Sequence, residues 1–510
     1  MRRMSYSPAA TLERDKEPVT SRESNEPDLR ILRPGRNCWR VEKASRAAIL
    51  IDAEAYFSRV DQALKAARRS ILIIGWDFDA IIRLRPQDGD DAERLGPLLR
   101  RLVEERPDLE VRVLVWNLSV LHAPGAALPH LLGEMWEDHP RISVRLDANH
   151  PALGAQHQKI IAVDGNVAFV GGIDLTVDRW DVPDHPAEHE LRLKPDGSAY
   201  GPVHDMQILV EGDAARAVTE LAAEEWRHAT GGEAPVVDVE SDPWPAGLAA
   251  DFRNVPVAIA RTRPRWRKMR GIREAAQLTR DALAAARESI YIEAQYFTDF
   301  RLGELIAKRL REPEGPEVVV VVTRTTHGFI EGVFMNGNRK RLVRRLKRAD
   351  RYRRLRLWHP VVPSPDGECE VLIHAKLVIA DDRFLRLGSS NLNNRSTGLD
   401  LECDLAVEAV DAASRKSVAG VRARLLGEHL HRDPEAVAAA IASERSLIRA
   451  IEKLNTNERR LAPFSRVGKG SIRPIFGTRL IDPRGSSAFL APLRRLWRKH
   501  RPRAAARLRW

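Results

Sequence analysis

The sequence predicts a duplicated α/β fold: two mixed β-sheet domains flanked by helices, with one active site at their interface. Three observations carry that expectation. First, the pattern H-x-K-x-x-x-x-D occurs as His157-Gln158-Lys159…Asp164 and again as His374-Ala375-Lys376…Asp381. Second, each copy leads into a turn of small residues, Gly171-Gly172-Ile173-Asp174 and Gly388-Ser389-Ser390-Asn391. Third, His157 and His374, Asp164 and Asp381, and Gly171 and Gly388 are all separated by the same 217 residues. One such pattern is weak, but two in register with matching turns make the chain an internal duplication.

The elements follow in order. Residues 1–36 are polar, mixed in charge and rich in Pro and Ser, without the apolar stretch of a signal peptide, and read as a disordered leader. The first repeat spans 37–229. Its segment 63–73 has helical spacing and a β-branched end and reappears at 282–292, so each repeat is expected to open with a helix and then a buried strand. The apolar runs 111–116 and 318–323 read as further strands, as do 159–163 and 376–380. On a strand His157 and Lys159 share one face, as do His374 and Lys376, which sets a cation beside each imidazole.

Past the turns the copies realign with a shorter separation. Asp205–Glu211 matches Glu402–Glu408 at 197 residues, so the first repeat holds about 20 extra residues within 176–204. This insert is rich in Asp, His and Pro and is a candidate lid or substrate loop. Residues 230–250 read as a linker. The second repeat, 251–454, closes on an Ala-rich helix expected over 434–454, started by Pro434. Residues 455–510 form a basic extension without clear periodicity.

Composition fits a two-domain enzyme. The chain has 510 residues and 43% hydrophobic content, enough for two ordinary cores. Its three cysteines, Cys38, Cys369 and Cys403, are too few and too scattered for a disulfide frame or a zinc site, and read as free thiols of a reducing compartment. No run approaches the roughly 18 apolar residues of a membrane span. Lys and Arg number 83 against 71 Asp and Glu, a net charge of +12. The excess gathers in 261–273, in 339–356 and in the tail, where Trp497, Leu508 and Trp510 sit among arginines. Basic residues interleaved with Trp suit an anionic bilayer and, nearly as well, nucleic acid. His185 and His189 lack a third spaced ligand, so no metal is expected. Trp76 reads as core, and His204 as a loop hydrogen bond or a substrate contact.

The two motifs and their turns resemble the phospholipase D superfamily, over roughly residues 47–410. The first half is similar to the phosphatidylcholine-hydrolysing branch: His157-Gln-Lys-Ile-Ile-Ala-Val-Asp-Gly-Asn-Val-Ala-Phe-Val-Gly-Gly-Ile-Asp-Leu175, then Arg179-Trp180-Asp181, then Val203-His204-Asp205…Glu211-Gly212. Val203 stands where that branch has Trp. The second half carries Ile290-Tyr-Ile-Glu-Ala-Gln-Tyr-Phe297 and Asn391-Leu-Asn-Asn-Arg-Ser396, and its Leu399-Asp-Leu-Glu402 resembles the cardiolipin synthases.

The resemblance implies a phosphodiesterase. Its substrate would be a glycerophospholipid, cleaved to phosphatidic acid and a free headgroup alcohol, with possible transphosphatidylation. Phosphatidyl transfer of the cardiolipin synthase kind is the alternative, and a nucleic-acid phosphodiesterase is the alternative of another class. His157, Lys159, Asp164, His374, Lys376 and Asp381 form the expected catalytic set. His157 would become a phosphohistidine, His374 would serve as the acid, and the lysines would neutralise phosphate oxygens. Each imidazole wants a carboxylate behind it, and the repeat alignment nominates Asp205 and Glu402. Asn391 and Ser389 are expected at the phosphate. Asp174, the repeat mate of Asn391, would have to be protonated or turned away. Asp164 and Asp381 stand at strand ends, where they could also organise the turn. No cofactor is expected. The expected partner is an anionic membrane surface rather than nucleic acid, and the chain would be a peripheral, cytoplasmic monomer.

Overall fold

The computed structural model describes residues 30–117, 135–324 and 329–464, apart from 238 and 240, together with scattered positions between 467 and 485. Most of the expected leader and the tail with Trp497, Leu508 and Trp510 lie outside the described residues. In the first repeat the strands are β1 (Arg40–Ile51), β2 (Ser70–Gly75), β3 (Glu110–Trp116), β4 (Ile142–Asp147), β5 (Ile160–Val163), β6 (Val167–Gly171), β7 (Val203–His204) and β8 (Met206–Glu211). Its helices are α1 (Asp52–Ala66), α2 (Leu95–Glu105) and α3 (Asp213–Thr230). The second repeat begins with β9 (Phe252–Arg263), β10 (Ile272–Arg273), α4 (Glu274–Ala285), β11 (Ser289–Ala294), α5 (Phe300–Arg311), β12 (Glu317–Val322) and α6 (Phe329–Ala349). There follow β13 (Leu355–Ser364), β14 (Gly367–Glu370), β15 (Leu372–Ile373), β16 (Lys376–Ala380), β17 (Phe384–Gly388), β18 (Glu402–Glu408) and α7 (Ala412–Leu430). Helices α8 (Pro434–Glu444) and α9 (Leu447–Leu454) and strand β19 (Arg460–Pro463) complete the described elements.

Pairing makes the duplication visible. The first sheet runs β4-β3-β2-β5-β6-β8-β1 and the second β13-β12-β11-β16-β17-β18-β9. In each, two parallel pairs continue into antiparallel ones, so the sheets are mixed. The 12-residue strands β1 and β9 pair antiparallel with each other, from Arg40 opposite Ile259 to Ala47 opposite Phe252, and join the two sheets. Each repeat therefore opens with a long strand before its helix, which the sequence reading missed. Repeat-matched helices α1 and α4 carry the amphipathic pattern that the 63–73 match predicted.

Burial explains the layers. Val318–Val322 of β12 are all fully buried, as a strand with parallel neighbours on both sides requires. On α2, Leu95, Leu98, Leu99 and Leu102 form one apolar stripe against the first sheet, each stabilising by about 2 kcal/mol. A third, shared core unites the repeats: Ile74, Ile160 and Ile208 pack in one cluster with Tyr291, Leu377 and Leu405.

Three local expectations change. The helix expected over 434–454 is two helices, because Arg445 adopts φ +49° and Ser446 starts the second by accepting a hydrogen bond from Arg449 N at 3.1 Å. The extension is structured at its start, where β19 pairs with β13. Residues at the end of the expected leader also dock: the Glu408 carboxylate accepts from Ile31 N at 2.9 Å and 3.0 Å. Cys38, Cys369 and Cys403 are free thiols.

Candidate active site

Each motif histidine is held by two consecutive residues of the opposite repeat. His157 N donates to Leu401 O at 3.0 Å, and its ring Nδ1 meets Glu402 Oε2 at 2.9 Å. His374 N donates to His204 O at 2.8 Å, and its Nδ1 meets Asp205 Oδ2 at 2.6 Å. Short parallel contacts set this crossover: β15 pairs with β7, and Gln156 bridges Leu401. Both nominated acids thus stand behind an imidazole, but each serves the other repeat's histidine. The rings keep 17% and 11% of their side-chain surface exposed, a narrow opening toward the outer nitrogens.

A glycine in each turn makes room for the strand beside it. A Cβ on Gly172 would collide with the Asp205 carboxylate, and one on Gly388 with Asp404. The turn must be small because the acid-bearing strand passes directly against it.

The lysines are engaged. Lys159 Nζ lies 3.0 Å from Asp174 Oδ2, while Asp174 Oδ1 accepts from Trp76 N at 2.9 Å. Burial disfavours the Asp174 charge, but Lys159 and Arg179 outweigh it and bring its pKa below the usual value. Asp174 is therefore neither protonated nor turned away; it is the ionised partner of Lys159. Lys376 Nζ donates to the His374 carbonyl and to Gln295 Oε1, the latter at 3.2 Å, and lies 3.0 Å from His374 Nδ1. Burial, only partly opposed by Asp205, lowers Lys376 to about 8.

The two histidine–acid pairs differ electrostatically. Burial works against the Asp205 charge, yet Lys376 and His374 prevail and its pKa is lowered, so it is a carboxylate at neutral pH. Burial dominates at Glu402 and raises it to about 8 despite hydrogen bonds from Ser389 and Ser396. Both imidazoles are pushed down, first by burial and then by the lysines: His157 well below its usual value and His374 to about 3. Both rings are neutral in the free protein. A bound phosphodiester anion would reverse the lysines' effect, and an ionised Asp205 then favours the proton on His374.

Two expected catalytic residues are scaffold. Asp164 accepts hydrogen bonds from Arg68 N, Arg69 N and Ser70 N at 2.8–2.9 Å, and Asp381 accepts from Arg287 N, Glu288 N and Ser289 N at 2.8–3.2 Å. Both lie at the far end of β5 and β16 from the histidines, at φ +54° and +53°, and anchor the start of the neighbouring strand. Asp164→Ala is expected to lose about 2–4 kcal/mol of stability, since three backbone donors lose a charged acceptor. Its kcat per folded molecule should stay within about threefold of the parent. Denaturant unfolding beside active-site titration checks both numbers.

Ser389 is also redirected. Its hydroxyl donates to Glu402 Oε2 at 2.6 Å and accepts from Cys403 N at 3.0 Å, so it positions the acid rather than facing a phosphate. Asn391 is buried and its Oδ1 has no hydrogen-bond partner. Trp76, expected in the core, is half-buried and packs on Trp116 with ring centroids 5.5 Å apart. His204 is fully buried among carboxylates rather than exposed to a substrate. Gln295 and Arg179 were missed as site residues. They lay in the quoted runs 290–297 and 179–181, but nothing local to either run points it at Lys376 or Asp174.

Comparisons with known proteins name a family for this chain to be set beside. Residues 279–418 match the family described as cardiolipin synthase, PLD-like domain. Phospholipase D A of Dictyostelium discoideum is 23% identical over 461 residues, covering 75% of this chain and 35% of that protein. Phospholipase D1 of Saccharomyces cerevisiae is 23% identical over 500 residues, covering 78% of this chain and 29% of that one.

These matches point to the phospholipase D superfamily, which the chain resembles over about three quarters of its length.

The chain spans about a third of the length of the phospholipases it matches. Its fold is shared with phosphatidylserine synthase of Haemophilus influenzae Rd KW20, at a TM-score of 0.54 and 14% identity, over 81% of this chain and 96% of that one. Among the described residues, no helix is long and apolar enough to cross a membrane.

Proposed function

We propose that the protein is a phospholipase D, cleaving a glycerophospholipid to phosphatidic acid and the headgroup alcohol through a phosphohistidine. The observation that carries this reading is the exchanged pair of histidine–carboxylate contacts with a lysine beside each. His157 Nε2 attacks phosphorus, forming the P–N bond as the P–O bond to the headgroup breaks. His374 gives its proton to the departing alkoxide. It then takes a proton from water, whose oxygen displaces His157. Lys159 and Lys376 balance the non-bridging oxygens, and Asn391 joins them there.

An alcohol in place of water gives phosphatidyl transfer through the same intermediate, and the family match at 279–418 keeps that reading open. A cleft of about 420 Å³ beside Thr176 sets apolar Phe57, Ile82 and Trp180 among basic Arg83, Arg94 and Lys194 and acidic Asp178 and Glu190, a mixture that could seat a lipid. Exposed Lys347, Arg351 and Arg353 around Tyr352 suit docking on an anionic bilayer.

The test is purified protein on mixed phospholipid vesicles, with and without glycerol or phosphatidylglycerol, with products read by mass. Phosphatidic acid without added alcohol, exchanged for a phosphatidyl-alcohol with it, is the expected result. Cleavage of oligonucleotides with intact vesicles would overturn the reading.

The pH profile has a defined alkaline side. Lys376 must be an ammonium to balance the phosphate, and burial lowers it to about 8, so kcat/KM should fall above that pH. Glu402 titrates near the same pH. The limb should therefore persist in Glu402→Gln. Activity undiminished to about pH 10 would remove Lys376 from this role, since that is where an ordinary lysine titrates.

A further inference from the structure

Behind His374 lies a buried cluster that the reaction does not use. Asp52, His185, His204 and Glu428 each contribute one ligand-type atom, all within 4.8 Å of one another. His185 Nε2 lies 3.4 Å from Asp52 Oδ2 and 3.0 Å from Glu428 Oε1. His204 Nδ1 lies 3.0 Å from Asp52 Oδ1 and 2.8 Å from Glu428 Oε1. The edge of a tetrahedron of nitrogen and oxygen ligands around zinc is about 3.3 Å, from metal–ligand distances near 2.05 Å. The four histidine–carboxylate separations, 2.8–3.4 Å, fall around that edge.

The outward nitrogens decide what the inward ones carry. His185 Nδ1 meets Asp181 Oδ2 at 2.8 Å, and His204 Nε2 meets Glu293 Oε2 at 2.9 Å. A carboxylate behind each ring draws the imidazole N–H outward and leaves a lone pair facing the centre, the arrangement that orients metal-bound histidines. With lone pairs inward, these nitrogens would meet only carboxylate oxygens at the centre, a repulsion that a cation would relieve. Asp52 is wholly buried, and neither of its oxygens has a hydrogen-bond partner; nor has His204 Nδ1.

Charge points the same way. Asp52, Asp181, Glu293 and Glu428 face two guanidiniums, those of Arg192 at 3.2 Å from Asp181 and Arg459 at 3.9 Å from Glu428. Two negative charges remain on the carboxylates, to be balanced by protons on the imidazoles or by a bound cation.

We propose that Asp52, His185, His204 and Glu428 form a closed, four-coordinate site for one divalent transition ion of the zinc type. All four positions would be filled by protein, so the ion is structural and leaves no open position for water. It would pin the insert, through His185, to the start of α1 and to α7 of the second repeat. That makes the segment expected to be a lid an anchored wall at this point. Phosphoryl transfer does not pass through the ion.

The full-length chain, with any affinity tag removed, tests this. Metal analysis after growth in zinc-containing medium should give close to one zinc per chain. Refolding with Co²⁺ in place of zinc should give the intense visible bands of four-coordinate cobalt. His185→Gln with Glu428→Gln should reduce the bound metal at least tenfold. If that variant does not accumulate folded, the wild-type stoichiometry and cobalt spectrum decide alone. Wild-type protein that is active yet metal-free, with only weak six-coordinate cobalt bands, would overturn the proposal and leave two imidazolium protons to balance the cage. Equal metal in the folded variant would overturn it too.

Discussion

His157→Ala and His374→Ala are each expected to remove phospholipid turnover, by on the order of 10⁴-fold or more, because each deletes half of a proton-and-phosphoryl relay. The two losses should not resemble each other when the leaving group is changed. With a p-nitrophenyl phosphodiester the alcohol departs without a proton, so His374→Ala should still form the intermediate and release a burst of nitrophenol. His157→Ala should show none. Acid-quenched, labelled wild-type enzyme should carry its label on the peptide containing His157. Label on the His374 peptide would reverse the two roles. Retention of more than about a hundredth of the parental rate by either variant on phospholipid would sink the shared site itself.

The second large effect separates the orienting acids. Asp205→Asn should cost about 10³–10⁴-fold in kcat, since an amide in place of an ionised carboxylate presents the wrong partner to the His374 ring and no longer stabilises its imidazolium. Glu402→Gln should cost only about tenfold near pH 7, the worth of one neutral hydrogen bond. The difference rests on environment. Lys376 beside Asp205 keeps that acid ionised, whereas burial raises Glu402 to about 8, so it already carries a proton at pH 7. Above pH 8 the Glu402→Gln deficit should widen. Equal losses at pH 7 would mean that both acids are charged, and the asymmetry between the histidines would then need another source.

Much of the site was legible in the chain because its signals are local. The H-x-K spacing sets His157 and Lys159 on one face of a strand, and the 217-residue repeat duplicates that face around His374. The apolar run that placed a strand at 111–116 and the alternation of motif residues that placed one at 376–380 are likewise short-range signals. The downstream match named Asp205 and Glu402, since duplicated acids of one motif keep their place in the repeat. What it could not name was which histidine each would serve. That depends on contacts between residues 169 and 245 positions apart, fixed by short parallel bridges between the repeats.

The same reason covers the other differences. Asp164 and Asp381 carry the motif's third letter but spend it on backbone donors, which only the neighbouring strand reveals. Ser389 turns from the phosphate to Glu402 because β18 runs beside its turn. The sequence by itself determined the duplication, the chemistry-bearing side chains and the strands that present them, all written in periodicities of a few residues. Only the tertiary structure decided how the repeats exchange their acids. It also decided that β1 and β9 join the sheets, and that His185 and His204, 19 residues apart in an unpatterned insert, face Asp52 and Glu428 across the two repeats. Such contacts follow from packing one whole sheet against another, where no local repeat of apolar and polar residues records which side chain will meet which.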